Sequence, residues 1–244
     1  MDRHPRLRGF NLFSTMPESM MYLQGLGQLR TMIDYHLENI HRLLQSTHIE
    51  DVFANEGSWT PEQLQYHDWW VDAMRSEMCA VMLLLRPQLD ALAQIINVEV
   101  LGSQLSSEEV SIYRVYEELK GKDTEDTTAR ALAACFGEHL QYLDAFTNMI
   151  KHAPAMGFTH VATKPIAGGK TEHEFYFRPY DSGRLSRNLD LKYLRELKAF
   201  IDQAVARVGD ALTEHQMRMG RLVMVSEKYA GPRGSSQEQD RGAS

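Results

Sequence analysis

Residues 126–152 read DTTARALAACFGEHLQYLDAFTNMIKH. Leu132, Phe136, Leu140, Leu143 and Ile150 recur at the three-and-four spacing of one helix face, with one turn skipped. Asp144, Asn148 and His152 lie four apart, so they form a line along another face. An apolar back with a polar line running to the helix end predicts the central helix of a bundle, carrying a candidate site near its C-terminus. Ala153-Pro154 then ends the helix, because the residue before a proline avoids the helical region.

Working outward, the chain before this stretch is helical. Thr15-Met16-Pro17-Glu18 is a helix start, and Leu29, Ile33, Leu37, Ile40 and Leu44 make a regular stripe. Residues 45–58 read as a loop. Thr60-Pro61-Glu62-Gln63 joins a capping threonine, a proline at the first helical position and a glutamine at the third, which predicts a long helix toward Asn97. Pro87 removes a hydrogen bond from it, so a kink or break is expected near Arg86. After a turn at 102–105, Ser106 with Glu109 predicts a further helix start, with the helix running to about Lys120.

Beyond His152 the texture changes. Residues 158–165 and 171–178 are short and β-prone around Gly168-Gly169, which predicts a β-hairpin. Residues 179–188 read as a loop. The last helix begins at Leu189 and runs to about Val225, with Leu191, Leu194, Leu197, Ile201, Val205, Val208 and Leu212 buried. The expected fold is all-α: an antiparallel bundle of about five long helices with an inserted β-hairpin at about 158–178. Residues 1–225 form one domain, and the polar 226–244 stretch is a disordered tail.

Composition narrows the function classes. With 244 residues and 43% hydrophobic content, the chain can bury one sizeable core. A net charge of −7 disfavours duplex nucleic acid as the main partner. Cys79 and Cys135 sit in apolar helical stretches with no CxxC pair, so a reducing, cytoplasmic setting without disulfides is expected. The N-terminus lacks a continuous apolar run, and the longest run, Met78 to Leu85, is short for a membrane span, so no membrane association is expected. There is no glycine-rich phosphate loop, GxSxG, HExxH or zinc-knuckle spacing, so no cofactor is expected.

Charge is uneven. From Lys151 to Lys198 nine Lys and Arg face five Asp and Glu, a local +4 that leaves −11 for the remainder. Lys164, Lys170, Arg178, Arg184 and Arg187 therefore predict a basic patch beside His152, although ordinary surface charge explains the same residues. Within about two helical turns, Asp144, Asn148, Lys151 and His152 offer a carboxylate, an amide, an ammonium and an imidazole, groups that bind and polarise a phosphodiester. His152 is the candidate general acid or base. Asp144, Lys151, Arg184 and Arg187 are the candidate substrate-binding groups. The competing explanation is a solvated stripe whose cations sit where the helix dipole favours them.

Asn-x-x-x-His closing a long helix, with Ile150-Lys151 before the histidine, resembles the HEPN superfamily of helical bundles. Many members are RNases, nucleotide-binding modules, or antiviral or toxin modules, and they often dimerise. The family motif is an arginine, commonly a polar residue next, and a histidine, with four to six residues separating the arginine from the histidine. Asn148 matches the polar position and His152 the histidine, whereas the arginine position falls on Thr147. That departure removes the bidentate partner of a phosphate. The resemblance implies a homodimeric module that binds nucleotide or RNA, with cleavage left open and Asn148 and His152 as its catalytic pair. The alternative is a non-catalytic dimeric interaction or scaffold protein.

Two lesser constellations complete the inventory. Glu38-x-x-His41, with Asp34 and His36 nearby, has the spacing of metal ligands in di-iron bundles but lacks a second copy, so no metal site is expected. In His67-Asp68-Trp69-Trp70 the two tryptophans cannot both face inward; one is core and the other is a cover, and His67 is expected at the surface. His139 is expected to be a satisfied core histidine.

Overall fold

Thr60 begins the helix around which the chain is arranged. Its Oγ1 accepts from the Gln63 amide at 3.3 Å, and its own amide donates to Gln63 Oε1 at 2.9 Å. The computed structural model describes residues 17–45, 59–122, 127–152, 157–166, 170–178 and 187–220. Its elements are α1 (Pro17–Leu44), α2 (Pro61–Glu99), α3 (Ile112–Lys122), α4 (Thr127–Ala133), α5 (Glu138–His152), β1 (Gly157–Ile166), β2 (Lys170–Arg178), β3 (Leu189–Asp190) and α6 (Leu191–Arg218). The fold is all-α in character, as expected. The expected loop at 45–58 and tail at 226–244 lie outside the described residues, save Gln45.

The axis is α2 rather than residues 126–152. It packs against α1, α3, α5 and α6, and Trp70, Met74, Met78, Val81, Leu85, Leu89 and Leu92 are buried along it. Each such side chain contributes about 1.5–3 kcal/mol relative to exposure. The most apolar 18-residue window of α2 has a mean hydropathy of 1.4, enough in length and composition for a membrane span, and half of that window is buried inside the fold. Pro87 does not break α2, which runs unbroken from Pro61 to Glu99. The carbonyl that loses its partner belongs to Leu83, on the exposed side of the helix where water reaches it.

Helix α1 runs antiparallel to α2: His36 meets Glu77, and seven residues on the Leu43 carbonyl accepts from Trp70 Nε1 at 3.0 Å. Its buried residues Leu26, Ile33 and Ile40 are seven apart, the repeat of a helix that keeps one seam on its neighbour. On its other flank, Arg30 and Asp34 pair with Asp202 and Lys198 of α6 at 3.0 and 3.5 Å.

Two sequence expectations give way to local packing. The stretch 126–152 is two helices, because the chain turns at Ala134–Gly137. There Cys135 and Phe136 donate to the carbonyls of Leu132 and Ala133, three residues back, and Phe136 packs on Tyr113 and Tyr116. Ser106 and Glu109 close a local turn instead of starting a helix: the Glu109 carboxylate accepts from both the Ser106 amide and its hydroxyl. The real start of α3 is capped by Ser111 Oγ, which accepts from the Arg114 amide. The buried Asn97 side chain holds the intervening turn by donating to the Leu105 carbonyl and accepting from the Leu105 amide.

The hairpin expected at 158–178 is present as β1 and β2, antiparallel with a bulge between Ala162 and Lys164. A third strand, β3, adds to β2 through Tyr176↔Asp190 and Phe177↔Leu189. Asp190 then caps α6 by accepting from the Tyr193 amide at 2.6 Å. Six of the seven residues expected to be buried on the last helix are so, and Leu191 is half-buried.

Candidate functional site

Helix α5 carries Asp144 and Asn148, two members of the polar line Asp144, Asn148, His152 predicted from its sequence. Its hydrophobic side buries Leu140, Leu143, Phe146 and Met149. With 3.6 residues per turn, Asp144, Asn148 and Lys151 then share the opposite flank. Asn148 and Lys151 are exposed. His152 is the last residue of α5; its side chain is outside the described set, and Arg184 lies outside the described residues altogether. Thr147, at the position where the HEPN-like motif has arginine, is buried and turns its hydroxyl back to the Leu143 carbonyl at 2.8 Å.

Asp144 is engaged within the protein. Its Oδ1 accepts from Arg86 Nε of α2 at 2.5 Å, and its Oδ2 accepts from the Tyr113 hydroxyl of α3 at 2.6 Å. Arg86 also donates to Asp90, one turn along α2, at 2.6 Å. One guanidinium and one carboxylate thus tie three helices together. Burial opposes the charge on Arg86, whose side chain is only 14% exposed, but Asp144 and Asp90 outweigh it and hold the guanidinium above its usual pKa. Neither Arg86 nor Tyr113 is singled out by sequence reasoning as a site residue. The available signal was Arg86 itself, a charge set directly after the apolar run from Met78 to Leu85.

Tyr113 is pushed up to about 12 by partial burial, then by its hydrogen bond to Asp144 and that carboxylate's charge, with Arg86 opposing. Its folded pKa lies above the unfolded value near 10, so the stabilisation is complete below pH 10 and is lost as pH rises toward 12. In alkaline unfolding, Tyr113→Phe is therefore expected to lose less stability than the parent between pH 10 and 12. Equal losses in both proteins would show that the hydroxyl is not held by Asp144.

Arg187, expected in a basic patch, stacks over the Tyr193 ring at 3.8 Å and lies 3.8 Å from the Glu196 carboxylate. His139 sits half-buried against Tyr193 and Phe200, with Nδ1 3.2 Å from the Tyr193 hydroxyl, a satisfied histidine as expected. Of the lesser constellations, Glu38 pairs with Arg42, and His41 bonds to Gln45. Among the described residues, no three His, Cys, Asp or Glu converge as metal ligands. Trp70 is core and Trp69 is 56% exposed, the division expected, whereas His67 is less superficial than expected because it stacks on Trp59.

Two clefts, of about 350 and 310 Å³, open between α1 and α2 and between α1 and α6. Residues of α5 line neither. What α5 offers among the described residues is an exposed amide, Asn148, and an exposed ammonium, Lys151. Comparison with family models, with curated proteins and with solved structures finds no match in any of the three.

Proposed function

We propose that this chain is a HEPN-like helical module that binds RNA or a nucleotide phosphate at the end of α5 without cleaving it. The observation that carries the reading is the division of labour on α5. Asp144 is consumed by Arg86 and Tyr113, while Asn148 and Lys151 are exposed and, among the described residues, without hydrogen-bond or ion-pair partners. A donor amide and a cation suit a phosphate oxygen. The excess of four positive charges between Lys151 and Lys198 adds a long-range attraction in a chain that is −7 overall. Cleavage is disfavoured by the hydroxyl of Thr147, which faces its own helix where the family motif places a guanidinium. The negative end of the helix dipole also lies here, so binding is weak and strongly salt-dependent.

The test is titration of a labelled single-stranded RNA at several salt concentrations. Lys151→Ala is expected to weaken binding and lower the slope of log affinity against log salt by about 0.7, one lost phosphate contact. The RNA is recovered intact. Affinity and slope that do not change in a combined Asn148→Ala, Lys151→Ala variant would overturn the assignment.

A second reading, a homodimeric interaction or scaffold protein, is favoured by a separate observation: Met21, Met32, Tyr35 and Trp69 stand exposed on α1 and α2.

A further inference from the structure

Each helix of the α1–α2 pair has a buried apolar inner seam and an uncharged outer one. The inner seams, Leu26, Ile33 and Ile40 on α1 and Met74, Val81 and Leu85 on α2, are buried. The outer seam of α1 runs Met21, Gly25, Gln28, Met32, Tyr35, Asn39, alternating four and three residues apart. That of α2 runs Trp69, Ala73, Ser76, Ala80, Leu83, Pro87 at the same alternation. This is the spacing that keeps one stripe facing a partner helix along its whole length. None of these twelve positions is charged, where a charged fraction of 24% gives an expectation of about three.

We infer that the outer face of the α1–α2 pair docks on the same face of a second copy of this chain about a two-fold axis, making a four-helix interface. The inference rests on the scaffold reading above and names the surface it uses. Three observations commit the face to a second copy. The first is charge: the groups flanking the seams are already engaged in place, Arg42 with Glu38, Arg75 with Asp72, and Glu77 through hydrogen bonds with His36 and Asn39. An acidic or basic partner finds no charged seam position to complement, whereas an identical pair of uncharged seams meets it with little repulsion although the whole chain is −7.

The second is shape. A cleft of about 350 Å³ lies between the seams, lined by Asn39, Leu43, Tyr66, Trp69, Ala73 and Glu77. About one turn from Asn39 stands Tyr35, 61% exposed, and toward the other end of the same seam stands Met21, 68% exposed. A two-fold axis brings the projecting side chains of one copy to the cleft of the other and repeats the exchange in the opposite direction. Methionine and aromatic side chains are what interface cores favour. The third is size. Met21 to Arg42 spans roughly 32 Å at about 1.5 Å per residue, and two adjacent helices are about 20 Å wide. The footprint is about 600 Å² per copy, about 1,200 Å² in total, which reaches the lower bound for a stable interface.

The experiment is sedimentation or light scattering over a wide concentration range on the full chain. The parent protein is expected to dimerise. Met32→Glu combined with Tyr35→Glu, both on exposed positions, is expected to weaken the dimer by roughly thirtyfold or more while leaving the helical circular dichroism and the melting of the monomer unchanged. Met219→Glu, an equally exposed methionine at the far end of α6, is expected to leave the dimer intact. A parent protein that is monomeric at every concentration overturns the inference together with the scaffold reading. A dimer that survives in the double variant, or that Met219→Glu disrupts equally, overturns the assigned face and leaves the scaffold reading standing.

Discussion

Trp70→Ala is expected to lower the stability of the fold by about 4 kcal/mol, within the range of roughly 3–5 kcal/mol seen when a large aromatic side chain is removed from a core. Two losses combine. The indole is 1% exposed among the residues that join α1 to α2, so its removal leaves a cavity that rigid helices on both sides do not close. Its Nε1 also donates to the Leu43 carbonyl near the C-terminus of α1, an orphan acceptor with no helical partner of its own. For a chain of this length each kcal/mol corresponds to about 2–4 °C, so the melting midpoint falls by about 10–15 °C. The control is one residue away. Trp69→Ala, at 56% exposure, is expected to cost less than about 1 kcal/mol in the monomer. If Trp69 lies in an interface, its effect grows with protein concentration, whereas that of Trp70 does not. Equal effects of the two substitutions at low concentration would mean that the α1–α2 register, and the burial it dictates, is wrong.

The pair also shows what was legible in the sequence. Adjacent helical residues point about 100° apart, so one of two tryptophans had to be outside, and helical periodicity alone said so. The same periodicity, with the cap at Thr60 and the stripe from Leu194 to Leu212, belongs to contacts within a few residues, which sequence spacing encodes. What failed were decisions made by distant partners. Residues 126–152 keep a helical spacing through Phe136, but Tyr113 and Tyr116 of α3 hold that ring and the chain turns at Gly137. Ser106 and Glu109 satisfy a capping pattern, yet the Asn97 clamp on Leu105 holds the preceding turn and α3 starts only at Ile112. The two-residue β3 is too short to show any alternation and exists because β2 offers it an edge. The candidate site follows the same rule. Of the predicted line Asp144, Asn148 and His152, the first two share a flank of α5 with Lys151, and the side chain of His152 lies outside the described residues. That Asp144 would be claimed by an arginine 58 residues earlier depends on how α2 crosses α5, which no local spacing encodes.

Arg86→Ala is the sharper test of that pairing, with an expected loss of about 3 kcal/mol. Breaking a largely buried ion pair by removing one member costs roughly 3–5 kcal/mol, because the other charge is left without compensation. The lower end applies here: Asp144 is 27% exposed and keeps the Tyr113 hydroxyl, and water reaches Asp90. Asp144→Asn removes the charge but keeps the shape, and is expected to cost about 1–2 kcal/mol. The two changes share one interaction, so their combination is expected to fall short of the sum by at least about 1 kcal/mol. A purely additive result would mean that the 2.5 Å contact does not persist in solution. The same variants separate architecture from binding. If Asp144 is a clamp between α2, α3 and α5, Asp144→Asn lowers the melting temperature and leaves RNA affinity at the α5 end as it was. If instead the melting temperature holds and RNA affinity changes, Asp144 faces the ligand, and the carboxylate returns to the group of residues that contact phosphate.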